Sequence, residues 1–161
     1  MEDQIYMDAA LELAQEAFTD GEVPVGCVIV RNGQIIGRGR NRRETDKTAL
    51  GHAEMEAISD ACKNLGGWRL WDCTLYVTLE PCPMCAGAIV NARIPRVVYG
   101  AADAKNGACG SVCDLFSMEF NHHPQVEKGV REAECAQLLT EFFKQLRITL
   151  QTRPKWRKKP E

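Results

Sequence analysis

Two groups of metal-type ligands stand at the beginnings of two different helices, and any fold open to this chain has to bring those beginnings together. His52-Ala53-Glu54 starts a helical pattern that runs to Leu65, with Ala53, Ala57, Ile58 and Ala61 on its buried side and Gly66-Gly67 as its stop. Pro81-Cys82-Pro83-Met84-Cys85 starts another that runs to about Ala92, with Pro81 suited to its first turn. Cys82 and Cys85 are one helical turn apart, so both sulfurs face one point. The positive end of the helix there favours thiolates. His52 adds a ligand from the other helix. One imidazole and two thiolates suit one zinc ion per chain, and three protein ligands leave a fourth position for water, the arrangement of a catalytic centre.

The remaining segments set the architecture. Residues 4–19 place Ile5, Ala9, Leu13 and Ala17 at helical spacing, with Ala10, Ala14 and Phe18 beside them, which predicts an amphipathic helix packed on one face. Val23 to Val30 is a β-rich run, Asn32-Gly33 a two-residue turn, and Gln34 to Arg38 the return strand of a hairpin. A polar loop fills Arg40 to Gly51. Strands are predicted over Cys73–Leu79, Pro95–Tyr99 and Val126–Val130, with an irregular stretch at Gly100, Gly107 and Gly110. A terminal helix over Glu132–Leu150 carries Cys135, Leu138, Leu139, Phe142, Phe143 and Leu146. Helix and strand alternate after the hairpin, which predicts an α/β domain with helices on both faces of a mixed sheet. One domain over residues 1–150 and a basic tail over 151–161 are expected.

Composition narrows the setting. A hydrophobic content of 45% and charged content of 26% fit a globular protein. No apolar run approaches the ~20 residues of a membrane helix, and the acidic Met1-Glu2-Asp3-Gln4 is unlike a secretion signal, so a cytoplasmic protein with reduced cysteines is expected. The net charge of −2 conceals a basic C-terminus, with Arg147, Arg153, Lys155, Arg157, Lys158 and Lys159 against Glu161, a distribution that can hold a polyanion.

Glu54 gives the metal reading its chemistry. Zinc and two thiolates are together neutral, so a water bound there is acidified less than on a three-histidine zinc, and a carboxylate two residues from His52 can take its proton and return it. The separate motifs also admit other readings: His-x-Glu as a surface pair or cap, Cys-x-x-Cys as a redox pair, or a structural zinc completed by Cys73, Cys109 or His122. The conjunction of ligand, acid and thiol pair favours catalysis.

His-x-Glu followed by Pro-Cys-x-x-Cys is the signature of zinc deaminases that act on nucleobases. Together with Glu22-Val-Pro-Val-Gly26, Leu75-Tyr-Val-Thr-Leu-Glu-Pro-Cys-Pro-Met-Cys-Ala-Gly-Ala88 and Gly100-Ala-Ala-Asp-Ala-Lys-Asn-Gly107, it makes the chain resemble the bacterial tRNA-specific adenosine deaminases from about Tyr6 to Arg147. The resemblance implies a three-layer, cytidine-deaminase-like fold with a five-stranded mixed sheet, a homodimer, and conversion of adenosine to inosine at the wobble position of an arginine tRNA anticodon stem-loop. It implies zinc held by His52, Cys82 and Cys85, with Glu54 moving protons. It further implies Asn41 on the flipped nucleoside, Val25 and Leu79 as walls of the base pocket, Ala53 against the substrate, Asp103 near the RNA strand at a ribose hydroxyl, and Phe142 facing the anticodon loop. Gly51, where the family often has alanine, reads as a small departure. The stretch Cys109 to Cys113 and the segment from Phe116 to Pro124 diverge further. The competing functions are a deaminase of a free base or nucleotide, of guanine or cytosine type, and a non-catalytic, zinc-stabilised RNA-binding subunit.

Overall fold

The structure, a computed structural model, describes residues 2–152; the basic positions Arg153, Lys155, Arg157, Lys158 and Lys159 lie outside the described residues. The elements are α1 (Glu2–Thr19), β1 (Gly26–Arg31), β2 (Gln34–Arg40), α2 (Ala53–Leu65), β3 (Cys73–Leu79), α3 (Pro83–Asn91), β4 (Arg96–Ala101), a short 3-10 turn (Leu115–Ser117), β5 (Gln125–Lys128) and α4 (Glu132–Thr152). The strands form one sheet in the order β2-β1-β3-β4-β5. β1 is antiparallel to β2 and β3, whereas β3, β4 and β5 run parallel. This is the expected α/β sandwich around a five-stranded mixed sheet. The hairpin turns at Asn32 and Gly33, both at positive φ (51° and 73°), as a two-residue turn of the primed type requires.

Period-two alternation sorts the strands between two cores. Cys27, Ile29, Leu75, Val77, Val97 and Tyr99 face Ala53, Ala57, Ala61 and Ile89 of α2 and α3. Val28, Val30, Tyr76 and Val98 face Met7 and Ala10 of α1 and Cys135 of α4. The helices sit close to the sheet because small residues meet there. A Cβ on Gly26 would lie 1.9 Å from the Ala10 carbonyl oxygen, and one on Gly39 would lie 2.2 Å from that of Ala53.

This close approach shifts the buried face of α1 from Ile5, Ala9 and Leu13 towards the neighbouring alanines. Met7, Ala10, Ala14 and Ala17 are the buried positions, and Ile5 is 65% exposed; where the helix rests on Gly26 it presents Ala10 and Ala14, and Met7 fills the same core. The start of α3 also shifts. Pro81 stands outside the helix, Cys82 is extended (φ −75°, ψ 173°), and Pro83 takes the first helical position. The physical reason is steric: the residue before a proline is driven out of the helical region. At the other end of the chain, α4 continues through Thr152. Among the described residues, no helix is long and apolar enough to cross a membrane.

Asp3 fastens the start of α1 to the sheet. Its carboxylate accepts hydrogen bonds from Arg96 Nη1 and Nη2 at 2.9 and 2.7 Å and from Tyr76 Oη at 2.8 Å. Hydrogen bonding from Arg96 lowers the Asp3 carboxyl from 3.8 to about 2. A depressed folded-state pKa stabilises above the unfolded value and is lost as pH falls through the folded one. Asp3→Asn is therefore expected to cost about 1 kcal/mol at pH 7, discounted for partial solvent screening, and to cost progressively less between pH 4 and pH 2. Urea unfolding across that range measures it.

Candidate active site

The site forms where the carboxyl end of β3 meets the amino ends of α2 and α3. His52 is the extended residue before α2 (φ −89°, ψ 148°), and Cys82 holds the same place before α3. His52 Nδ1 lies 3.6 Å from Cys82 Sγ and 3.5 Å from Cys85 Sγ. A tetrahedral zinc with ordinary Zn–S and Zn–N bond lengths separates nitrogen from sulfur by about 3.6 Å. The donor set and its spacing thus fit the ion. Among the described residues, His52, Cys82 and Cys85 are the group of His, Cys, Asp or Glu side chains whose ligand atoms all lie within 4.8 Å of one another. Cys73, Cys109 and His122, the candidates for a fourth structural ligand, stand apart from it, and His122 Nε2 lies 2.7 Å from the Ile94 carbonyl oxygen.

Electrostatics divide the ligands. A hydrogen bond from Cys85, aided by His52, lowers the Cys82 thiol to about 4 despite its partial burial. The same sulfur–sulfur hydrogen bond, with burial, raises Cys85 far above the ordinary thiol range. Without metal the pair therefore shares one proton; a bound cation displaces it. Glu54, one residue into α2, is 4% exposed. Burial raises its carboxyl from 4.5 to about 6, which suits a group that both takes and gives a proton.

His52, Glu54 and Cys82 line a cavity of about 820 Å³. Asn41, Val25, Leu79, Ala53 and Asp103 line it too, so five of the six residues expected at substrate are gathered in one place. The sixth differs. Phe142 is 9% exposed and packs edge-on against Phe18, with ring centroids 5.8 Å apart. Its neighbour Phe143, 41% exposed, is the aromatic ring at this cavity, with Leu139, Leu146 and Arg147 beside it. Phe142 lines an adjoining cavity. Two consecutive helical positions point about 100° apart, and here Phe143 borders both cavities whereas Phe142 borders the adjoining one.

Two buried acids escaped the sequence reading. Glu22, 2% exposed, accepts hydrogen bonds from the backbone N–H groups of Glu44 and Thr45 (3.1 and 2.7 Å) and from Thr45 Oγ1. Glu80, also 2% exposed, accepts from the backbone N–H groups of Asp103, Cys109 and Ser111 and from Ser111 Oγ. Burial works to raise both carboxyls, but these hydrogen bonds prevail and leave both lowered. Each acid organises a loop at the cavity. The available signal was a carboxylate inside an otherwise apolar run, Leu79-Glu80-Pro81. Gly51 also proves consequential, because a Cβ there would lie 2.9 Å from Arg43 Cα and N. Alanine at this position in this chain would have to displace the loop that carries Arg43.

A mixed sheet with ligand sets at two helix starts and a buried glutamate beside them is the architecture of the zinc-dependent deaminases. The MafB19-like deaminase family model matches residues 1–147. A tRNA-specific adenosine deaminase from Bacillus subtilis is 52% identical over 147 residues, covering 91% of each chain. A solved structure from work on A-to-I editing by tRNA deaminases at the wobble position superimposes with a TM-score of 0.80 at 46% identity, over 83% of this chain and 98% of that one. A Bacillus subtilis guanine deaminase gives a TM-score of 0.60 at 42% identity, over 70% of this chain and 71% of that one. The chain belongs to the MafB19-like deaminase family and, within it, to the tRNA-specific adenosine deaminases.

Proposed function

We propose that the chain hydrolyses adenosine to inosine in the anticodon loop of a tRNA, at the wobble position of an arginine tRNA, working as a homodimer with one zinc ion held by His52, Cys82 and Cys85. The observation that carries this reading is the single cavity that joins the His52 and Cys82 side chains, Glu54, and the walls formed by Val25, Leu79 and Asn41. When bound, zinc acidifies a water so that it can act as a nucleophile near neutral pH. Glu54 accepts that water's proton as a C–O bond forms at C6 of adenine, and passes the proton to ring N1. The remaining hydroxyl proton then goes, again by way of Glu54, to the exocyclic amine, which departs as ammonia and leaves the C6 carbonyl of inosine. Val25, Leu79 and Ala53 exclude water around the ring, and the Asn41 amide holds the nucleoside in register; its Oδ1 also accepts a hydrogen bond from the Arg43 N–H at 3.1 Å.

An RNA-borne adenosine fits better than a free base. The cavity is at the upper end of the ~300–1,000 Å³ range of small-molecule sites. Its lining includes the exposed cations Arg43, Lys105 and Arg147, which suit a phosphate backbone, and Phe143 offers a face for an unstacked base. Asp103 lines the same cavity and is the acceptor for a ribose hydroxyl in this reading. The 42% identity to a guanine deaminase favours free guanine as the second reading. Incubation with an arginine tRNA anticodon stem-loop and, separately, with guanine, adenine, cytosine and adenosine decides between them. The expected result is inosine at one position of the stem-loop, read by sequencing, with ammonia from the free compounds at background. Release of xanthine from guanine with an unedited stem-loop would replace the tRNA reading.

A further inference from the structure

The segment from Ala102 to Asn106 forms part of the cavity wall. Ala104, Lys105 and Asn106 are exposed. The hydrogen bonds inside it are local: Asp103 Oδ1 accepts from the N–H groups of Lys105 and Asn106, both at 3.1 Å. Its side-chain tie to the domain is Glu80, while further along the loop the Ala108 N–H donates to the Pro81 carbonyl oxygen at 2.8 Å and Ala108 and Cys109 pack in the core. The Glu80 side chain points from the end of β3 into the loop, where two carboxylate oxygens meet four donors: the N–H groups of Asp103 (3.1 Å), Cys109 (3.0 Å) and Ser111 (3.1 Å), and the Ser111 hydroxyl. A carboxylate has about four acceptor positions, so all are used. The loop lies so close that a Cβ on Gly107 would be 2.3 Å from the Glu80 carboxyl group. Glu80 also stands between Leu79 of the pocket wall and the Pro81-Cys82 start of the metal half-site.

Resting on the tRNA reading above, we infer that Glu80 is a positioning residue: by filling its acceptor sites with the 103–111 loop, it sets the wall on which Asp103, Lys105 and Asn106 meet the nucleotides that flank the target base. Glu80 borders the cavity, but it is not in the metal-ligand group and its acceptor positions are already filled by the loop. Its influence therefore falls on substrate binding and leaves the chemical step alone.

Glu80→Gln is the decisive variant because it keeps the shape and removes half of the acceptors. A packing role would tolerate it. A clasp would not, since an amide NH₂ would then face donor groups. The expected result is a KM for the anticodon stem-loop raised about tenfold or more, with kcat within about threefold and zinc content unchanged. Amide exchange at Asp103, Cys109 and Ser111 should accelerate while β3 and α3 keep their protection. If Glu80→Gln does not accumulate as folded protein, Gly107→Ala, which pushes the loop off the same carboxylate, is scored by the same measurements. An unchanged KM alongside accelerated loop exchange overturns the inference, as does a fall in kcat at constant KM, or exchange rates identical to wild type. Failure of the tRNA reading is visible separately, as wild-type turnover of a free purine in place of the stem-loop; the KM criterion is then applied to that purine, and an unmoved value overturns the inference equally.

Discussion

Glu54→Gln is expected to keep its full complement of zinc and lose turnover by about 10²–10⁴-fold, the range attributable to one general acid–base group. The amide preserves the volume of a side chain that is 4% exposed but can neither accept the water's proton nor deliver one to N1. Metal analysis paired with single-turnover kinetics on the stem-loop checks both halves. Activity within a few-fold of wild type would remove Glu54 from the reaction. A second signature concerns stability of the metal-free protein. Burial raises the Glu54 carboxyl from 4.5 to about 6, so the folded state holds this proton more tightly than the unfolded state does. A raised carboxyl pKa stabilises below the unfolded value, and that stabilisation is lost as pH rises through the folded value. Metal-free Glu54→Gln is accordingly expected to resist unfolding better than metal-free wild type at pH 8, with the difference vanishing below pH 4.5.

Removal of the metal is expected to be as severe. Treatment with a strong chelator should abolish turnover, and stoichiometric zinc should restore it. Cys82→Ser or His52→Ala should bind zinc at least about 10²-fold more weakly and reduce activity below about 10⁻³ of wild type, because the two helix starts lose their common ligand. The electrostatics sharpen this prediction. In the metal-free site Cys82 is already lowered to about 4, whereas Cys85 is raised by the hydrogen bond to it and by burial. Zinc uptake at neutral pH should therefore release protons into a weakly buffered solution, and Cys85→Ser should diminish that release. Full activity after exhaustive chelation would refute the metal-centred reading.

Much of this was legible without coordinates of any kind, and the reasons are local. Asn32-Gly33 announces a hairpin because few dipeptides tolerate two consecutive positive φ values. The three-residue separation of Cys82 and Cys85 announces a shared ligand point because a helical turn is 3.6 residues. The unbroken apolar run Cys27-Val28-Ile29-Val30 announces a strand. Where the reading slipped, a long-range contact had overruled a local pattern. Ile5 belongs to a plausible apolar stripe, yet the approach of α1 to Gly26 presents Ala10 and Ala14 there, and Met7 and Ala17 are buried with them. Phe142 and Phe143 are indistinguishable by composition, and only the packing of Phe142 on Phe18 leaves Phe143 to the cavity. The consequence of Gly51 depends on Arg43 folding back against it.

The order of residues by itself determined which chemistry was possible: a soft, three-ligand metal set and a carboxylate two positions from its histidine, each tied to a helix start by short-range geometry. Only the tertiary structure decided that His52 comes within 3.6 Å of both sulfurs, that Glu54 is buried deeply enough for its proton affinity to rise, and that Glu22 and Glu80 turn inward to hold the loops around the cavity. Those outcomes depend on desolvation and on hydrogen bonds between groups far apart in the chain, and neither is encoded in any window of neighbouring residues.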